Sequence, residues 1–384
     1  MRLGARAWVA AYLGVVAAFV ATVATYYHPD FGFTRLIEFS LANHESEIAA
    51  VRDTPHYDDP ASVGYDGQFY AQLAVDPLLR DPTIDKALDT PPYRARRILM
   101  PWLSHAIGLG RPAAVLEVYA LHAVAAWLLL AWLITRWIRP TTGRGFVLVS
   151  TALLAHGPLM SVRYALPDLA AALLVAAGVL ALERGRPWLA AVTLGVAGLA
   201  RDTALVAATG LAGFLRRSLT SWVTVVACAG VAAMPLLLWF DYIHSIYRST
   251  TFEGTGLFAA PFAGLRWKIG MIVATVGEHG LSWQTFEGIT ALTAFLAQCG
   301  WLLWLFIRHR DRSPWLLTAL GFIGLAVVAG QPIWEGIPGA YPRILIPVML
   351  AAHVTLARRT GLWWLVALIS LDVVAGVRLL AGSL

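Results

Sequence analysis

The chain has 384 residues, of which 58% are hydrophobic and only 14% charged, and its mean hydropathy is +0.66. A soluble domain carries about 25% charged residues, so lipid rather than water is the solvent for most of this chain. The net charge of +6 comes from arginines lying between apolar runs, where they set topology and meet lipid headgroups. Basic stripes with interleaved aromatic residues are absent, which speaks against a nucleic-acid partner.

Arg2 and Arg6 precede an apolar run of about 20 residues, too long for a signal-peptide core and followed by no clean small-x-small site. It reads as an uncleaved first span. Further spans are expected near 113–138, 144–160, 165–183, 187–200, 203–216, 220–241, 286–307, 315–331, 343–357 and 362–380. With the first, near 5–27, that makes about eleven (10–13), an all-α polytopic membrane protein. The apolar stretch 98–110 is too short to assign as a span. Two long loops, 28–112 and 242–285, separate a module over 1–217 from one over 218–384. The first loop holds an amphipathic piece, Phe33–Val51, and the second an aromatic, Gly-rich one, Phe252–Trp267. Both are expected to form short surface helices.

With the N-terminus inside, the inner loops carry Arg136, Arg139 and Arg144, then Arg184 and Arg186, then Arg216 and Arg217. Arg308, Arg310 and Arg312, then Arg358 and Arg359, complete the set, as the positive-inside rule requires. This places the N-terminus in the cytoplasm and both long loops outside. Trp137, Trp188, Trp222, Trp239, Trp315 and Trp363 sit near span ends, as aromatic belts do. The two cysteines, Cys228 and Cys299, lie in apolar runs and make neither a disulfide framework nor a metal motif. Lysine occurs only at Lys86 and Lys268, and arginine, alanine and glycine dominate, a bias found in GC-rich bacterial genomes.

Three arginines break the charge rule on the outer side: Arg163, followed by Tyr164 and Asp168; Arg201, followed by Asp202; and Arg343, after Tyr341-Pro342. The spans flanking Arg201-Asp202 are short. About 14 residues of α-helix rise only about 21 Å, against about 30 Å of hydrocarbon. The hairpin tip is therefore expected inside a cavity. Arginine's planar fork suits a phosphate there; a structural Arg–Asp pair that pins the hairpin is the alternative.

The densest constellation is in the first loop, Gly64-Tyr65-Asp66-Gly67-Gln68-Phe69-Tyr70. Aromatic and amide groups surround one carboxylate, and flanking glycines allow close approach. Asp66 is a candidate catalytic carboxylate or, alternatively, a helix N-cap. Next, Pro91-Pro92-Tyr93-Arg94-Ala95-Arg96-Arg97 sets three arginines against an apolar stretch, for anion binding or headgroup snorkelling. Asp58-Asp59 reads as a second acid, a metal point or plain surface loop, with His56 adding little. Glu278-His279 reads as surface or a substrate contact. Asp372, inside the last apolar run, reads as a functional or a paired carboxylate.

The Tyr65–Tyr70 stretch resembles a motif of bacterial cell-surface glycopolymer proteins in the GT-C superfamily of membrane glycosyltransferases. It is also similar to the tryptophan-aspartate motif of the GPI mannosyltransferase II family. Arg94–Pro101 and Leu199-Ala200-Arg201-Asp202-Thr203 resemble further elements of the bacterial proteins, with Asp202 and Ala200 standing where Glu and Thr are common. The resemblance covers roughly residues 1–217. It implies a GT-C-like fold in the plasma membrane that moves a sugar from a polyprenyl-phosphate donor to a glycan or lipid acceptor at the outer face. It makes Asp66 the general base. The donor phosphate then falls to Arg201 and Arg343, with Arg97 or Arg163 assisting, and Tyr65, Gln68, Tyr70, Asp168, Asp202 and Tyr341 line the substrate pocket. No cofactor is expected, and a divalent metal is left open. The competing readings are a lipid-linked sugar transporter or flippase, which needs polar groups along a path through the bilayer, and a non-catalytic glycan-assembly subunit.

Overall fold

The computed structural model describes residues 4–215, 218–247 and 256–382. Arg2, Arg216, Arg217 and the start of the Phe252–Trp267 stretch lie outside the described residues. The chain is an all-α, membrane-embedded protein. Among the described residues, four helices are long and apolar enough to cross a membrane: Ala5–Ala24, Pro112–Ile134, Leu219–Tyr247 and Trp283–His309. Two bent pairs, Gly143–Leu154 with His156–Arg163 and Trp363–Ile369 with Val373–Ala381, raise the number to six if each is one span. The expected eleven are therefore met only in part. Every marked stretch contains helix, but Pro187–Ala200, Asp202–Phe214, Pro314–Val328 and Ile346–Ala357 are shorter apolar helices, as is Asp168–Glu183.

Local chemistry sets these lengths. Pro112, Pro187 and Pro314 each occupy the first helical position, where a missing N–H costs nothing and φ is already helical. Gly185, at a φ of +69°, makes the left-handed turn after Asp168–Glu183. Pro158 cannot donate to the Leu154 carbonyl, and the bundle bends there by 42°. Asp202–Phe214 is a 3-10 helix of 13 residues. At about 2.0 Å per residue it reaches about 26 Å, so the argument from its shortness holds for Pro187–Ala200 and not for its partner. The 98–110 stretch forms a helix of 9 residues, Leu99–Ile107, about 14 Å long and too short to cross.

The two long loops are folded differently from expectation. Phe33–Val51 is not a surface helix: it is broken into short 3-10 turns, a strand residue pair Phe39–Ser40 and a single helical turn, Ala49–Arg52. Phe39–Ser40 pairs in parallel with Asp58–Asp59. The second loop contains a longer helix than foreseen, Ala263–His279. The two sequence modules also pack together across residue 217, because Leu219–Tyr247 lies along Pro187–Ala200 and Asp202–Phe214 lies along Pro314–Val328.

The helix Asp66–Val75 packs against Leu99–Ile107 and Pro112–Ile134. Gly67 permits this seating: a Cβ there would stand 2.3 Å from the Tyr164 carbonyl oxygen and 2.6 Å from that of Ile37. Both are backbone atoms that cannot swing aside. Gly67→Ala is therefore expected to cost about 1–3 kcal/mol, read as a lowered melting temperature of the purified protein in detergent. Gly300→Ala, where a Cβ meets nothing within 4 Å, should leave that temperature unchanged or higher. Equal effects of the two substitutions would refute this account of the seating.

Candidate functional site

Asp66 is the first residue of its helix and not its cap, which is Tyr65. Both of its carboxylate oxygens are taken by guanidinium groups. Oδ1 lies 2.8 Å from Arg94 Nη1 and Oδ2 lies 2.7 Å from Arg343 Nη2. Arg343 reaches on with Nη1 to Asp168 Oδ2 at 3.3 Å, and Asp168 Oδ1 is bound by Arg201. A ladder results, Arg94–Asp66–Arg343–Asp168–Arg201, that joins four separate parts of the chain. Asp168 opens Asp168–Glu183, Arg201 follows Pro187–Ala200, and Arg343 lies in the turn Tyr341–Ile344. All three are more than nine-tenths buried, as charges at these helix ends must be if they are paired with each other rather than with water.

Burial by itself raises the Asp66 pKa, but the charges of Arg343 and Arg94 outweigh it and hold the carboxyl well below the usual carboxylate range. Arg94 is anchored from behind by Asp89, which accepts from Nε at 2.7 Å and from Nη2 at 2.6 Å. It also lies over the Phe69 ring, 4.7 Å from the centroid. Arg343 sits over Tyr65, which stacks on Tyr164 at 4.3 Å.

Arg97 is arranged differently. It is buried, and it donates to two neutral phenols, Tyr70 and, at 2.6 Å, Tyr93. Its Nε has no hydrogen-bond partner, and among the described residues it forms no ion pair with a carboxylate. It lines a cavity of about 440 Å³ whose polar lining residues are Tyr93, Arg96, Arg97, Arg201, Asp202 and Thr203. The rest of the wall is apolar, with Val206, Leu236, Phe240 and Leu325 among its residues. A larger cavity of about 590 Å³, between Leu99–Ile107, Pro112–Ile134 and Asp168–Glu183, has no Asp, Glu, Lys or Arg in its wall and offers nothing to hold an anion.

Of the residues singled out from sequence, the fold brings Asp66, Asp168, Arg201 and Arg343 into direct contact, with Tyr65 beneath them. Arg97 joins through Tyr70, and Asp202 lines the cavity. Arg163 stands apart, bound to Glu38 at 2.6 Å. Gln68 faces away, accepting from Asn43 Nδ2 at 3.2 Å beside a polar pocket of about 160 Å³. Tyr341 is buried against Trp334 and lines a small cavity with Gln298 and Asp372. Asp372 marks the break in the last bent pair. Glu278 and His279 are exposed.

Arg94, Asp89 and Tyr93 were not foreseen as site residues. The available signal was spacing: Arg94 lies on the short helix Pro91–Ala95 and Arg97 three residues on, just past its end, and both guanidinium groups reach the Tyr70 hydroxyl. No family model, no curated protein and no solved structure matches this chain.

Removing the Asp66 charge leaves Arg94 and Arg343 facing each other. Asp66→Asn is expected to cost about 3 kcal/mol. Because the folded pKa is depressed, this stabilisation is present above the unfolded value of about 3.9 and is lost as pH falls through the folded one. The melting-temperature gap between wild type and Asp66→Asn should thus be constant from about pH 6 to 8 and narrow only below about pH 4. A gap that closes near neutral pH would contradict the pairing.

Proposed function

We propose that the chain is a GT-C-like glycosyltransferase that takes a sugar from a polyprenyl-phosphate donor. The observation that carries the reading is the cavity lined by both Arg97 and Arg201 and by apolar side chains. A buried cation paired only with phenols costs several kcal/mol until an anion meets it. A phosphate in that cavity satisfies Arg97 and Arg201, and a prenyl chain suits Val206, Leu236, Phe240 and Leu325. The anion favoured is therefore one with a hydrocarbon tail.

Asp66 serves as general base. In the resting ladder its carboxylate is too strongly paired for that role. Donor phosphate beside Arg201 brings negative charge next to Asp168 and competes for Arg343. Loosened from Arg343, Asp66 regains basicity. Its oxygen takes the acceptor hydroxyl proton as the hydroxyl oxygen bonds to the anomeric carbon. The bond from that carbon to the phosphate oxygen breaks with inversion, and polyprenyl phosphate leaves with its charge held by arginine rather than by a proton donor. Arg343 and Arg94 position Asp66, and Tyr65 packs under Arg343. Arg163, paired with Glu38, assists from outside this contact set at most.

The ends of the helices agree with one sidedness. Arg144 binds the carbonyls of Gly361 and Leu356, and Arg358 lies 2.9 Å from Glu183. The arginines counted as inner thus meet at helix ends opposite the ladder, which in this reading faces outside. A plasma-membrane location with the N-terminus in the cytoplasm follows from the same counting.

Purified protein incubated with a labelled polyprenyl-phosphate sugar and envelope extract should transfer label. Asp66→Asn should lower kcat by about 10²–10⁴, and Arg97→Gln should raise the donor KM more than it lowers kcat. Undiminished transfer by Asp66→Asn would remove Asp66 from the chemistry. Donor binding without transfer by the wild type would favour the transporter or assembly-subunit reading.

A further inference from the structure

Apart from the ladder, a second cluster of chemically capable side chains lies in the first loop. His44, Glu47, His56 and Asp58 each point one ligand atom to a common place, and these atoms lie within 4.8 Å of one another. His44 Nδ1 is 2.8 Å from Asp58 Oδ2 and 3.7 Å from Glu47 Oε2, and His56 Nε2 is 3.1 Å from Asp58 Oδ1 and 3.3 Å from Glu47 Oε2. Four ligands about 2.0–2.1 Å from a zinc ion in a tetrahedron are about 3.3 Å apart. The observed separations bracket that value.

Within the cluster His56 Nε2 hydrogen-bonds Asp58 Oδ1, which leaves Glu47 over. Glu47 is only 4% exposed, yet neither of its carboxylate oxygens has a hydrogen-bond partner. His44 Nδ1 is likewise without one, in spite of its closeness to Asp58. His56 Nδ1 lies 2.7 Å from the Thr54 carbonyl. A carbonyl only accepts, so Nδ1 donates to it, and Nε2 faces the cluster, 3.1 Å from Asp58 Oδ1 and 3.3 Å from Glu47 Oε2, where a cation would take the place of its proton. This is the outer-shell bond that orients a metal-bound imidazole. Four potential ligand atoms gathered in one place, with one carboxylate buried and unsatisfied, call for a cation.

We propose that His44, Glu47, His56 and Asp58 bind one divalent transition-metal ion, with zinc the best fit, and that the ion seats the Asp66 helix. The donor set of two imidazoles and two carboxylates suits zinc and disfavours magnesium or calcium, which take oxygen ligands. The His44 side chain is 31% exposed and gives the ion a way in. The role is structural. The same turn sends Asn43 Nδ2 to Gln68 and the Ile48 N–H to Gln72 Oε1 at 3.1 Å, and both glutamines stand on the Asp66 helix. Asp59 takes no part, since its Oδ1 accepts the Ala61 N–H.

The test is metal content, read without any sugar transfer, so its outcome is separate from that of the transferase reading. Full-length protein in detergent is stripped with a chelator, titrated with zinc chloride and desalted. About one zinc per chain should remain, in the presence of excess magnesium, and the melting temperature should rise with zinc. Glu47→Gln and His44→Gln should each weaken zinc binding about 10–100-fold and lose most of that rise. His44→Gln alters a partly exposed side chain, so it reports on binding even if Glu47→Gln folds poorly. Cobalt added to the stripped wild type should give the visible absorption of a four-coordinate ion. Stripped protein that elutes as the native form and takes up neither ion would overturn the proposal. So would wild-type zinc affinity in a folded His44→Gln variant.

Discussion

Arg343 is the constraint on which the rest of the site depends. Its guanidinium reaches Asp66 in the first loop and Asp168 at the head of a membrane-embedded helix. Only arginine carries five donors in a fixed planar fork that can serve two carboxylates at once. Without it, Asp66 would keep only Arg94 and Asp168 only Arg201, and the Asp66 helix would lose its charged tie to the bundle. The first loop is therefore held to the bundle by charge as well as by apolar packing.

A buried ion-pair ladder is weak evidence for stability, since apolar side chains of similar volume often do as well. Its value here lies in being exchangeable. Arg94, Arg343 and Arg201 are already oriented by Asp89, Asp66 and Asp168, so an incoming phosphate meets arginines whose geometry is set. Arg97 adds the asymmetry. It has phenol hydroxyls where its neighbours have carboxylates, and it lines a cavity that also has apolar walls. An amphiphilic anion answers both features together.

Much of this was legible in the sequence for a simple reason. In a chain this apolar, a charge away from an inner loop is costly enough to stand out, and Arg201 and Arg343 stood out on that ground, while Asp66 stood out as the carboxylate of the dense Gly64–Tyr70 stretch. Arg163 stood out equally and proved to be the partner of Glu38, because cost alone does not name the partner. Other features are set by side-chain direction and were not legible. Gln68 shares a helix with Asp66 but points to Asn43, and Tyr341 neighbours Arg343 but packs on Trp334. Arg94 was hidden because snorkelling and ion pairing look alike without the fold. The eleven expected spans are met only in part, since apolar runs reveal neither the bend near Pro158 nor the 3-10 winding of Asp202–Phe214. The His44–Asp58 cluster depends on the parallel pairing of Phe39–Ser40 with Asp58–Asp59, a non-local contact with no periodic signature.

The central claim is that a lipid phosphate enters the Arg97 cavity and loosens Asp66 from Arg343. The most direct measurement is a structure of the full chain with a non-transferable polyprenyl phosphonate sugar. The account predicts phosphonate oxygens within hydrogen-bond distance of Arg97 and Arg201, the prenyl chain along Val206, Leu236 and Phe240, and a lengthened Asp66–Arg343 contact. A ligand bound elsewhere, with Asp66 still held by both Arg94 and Arg343, would contradict it.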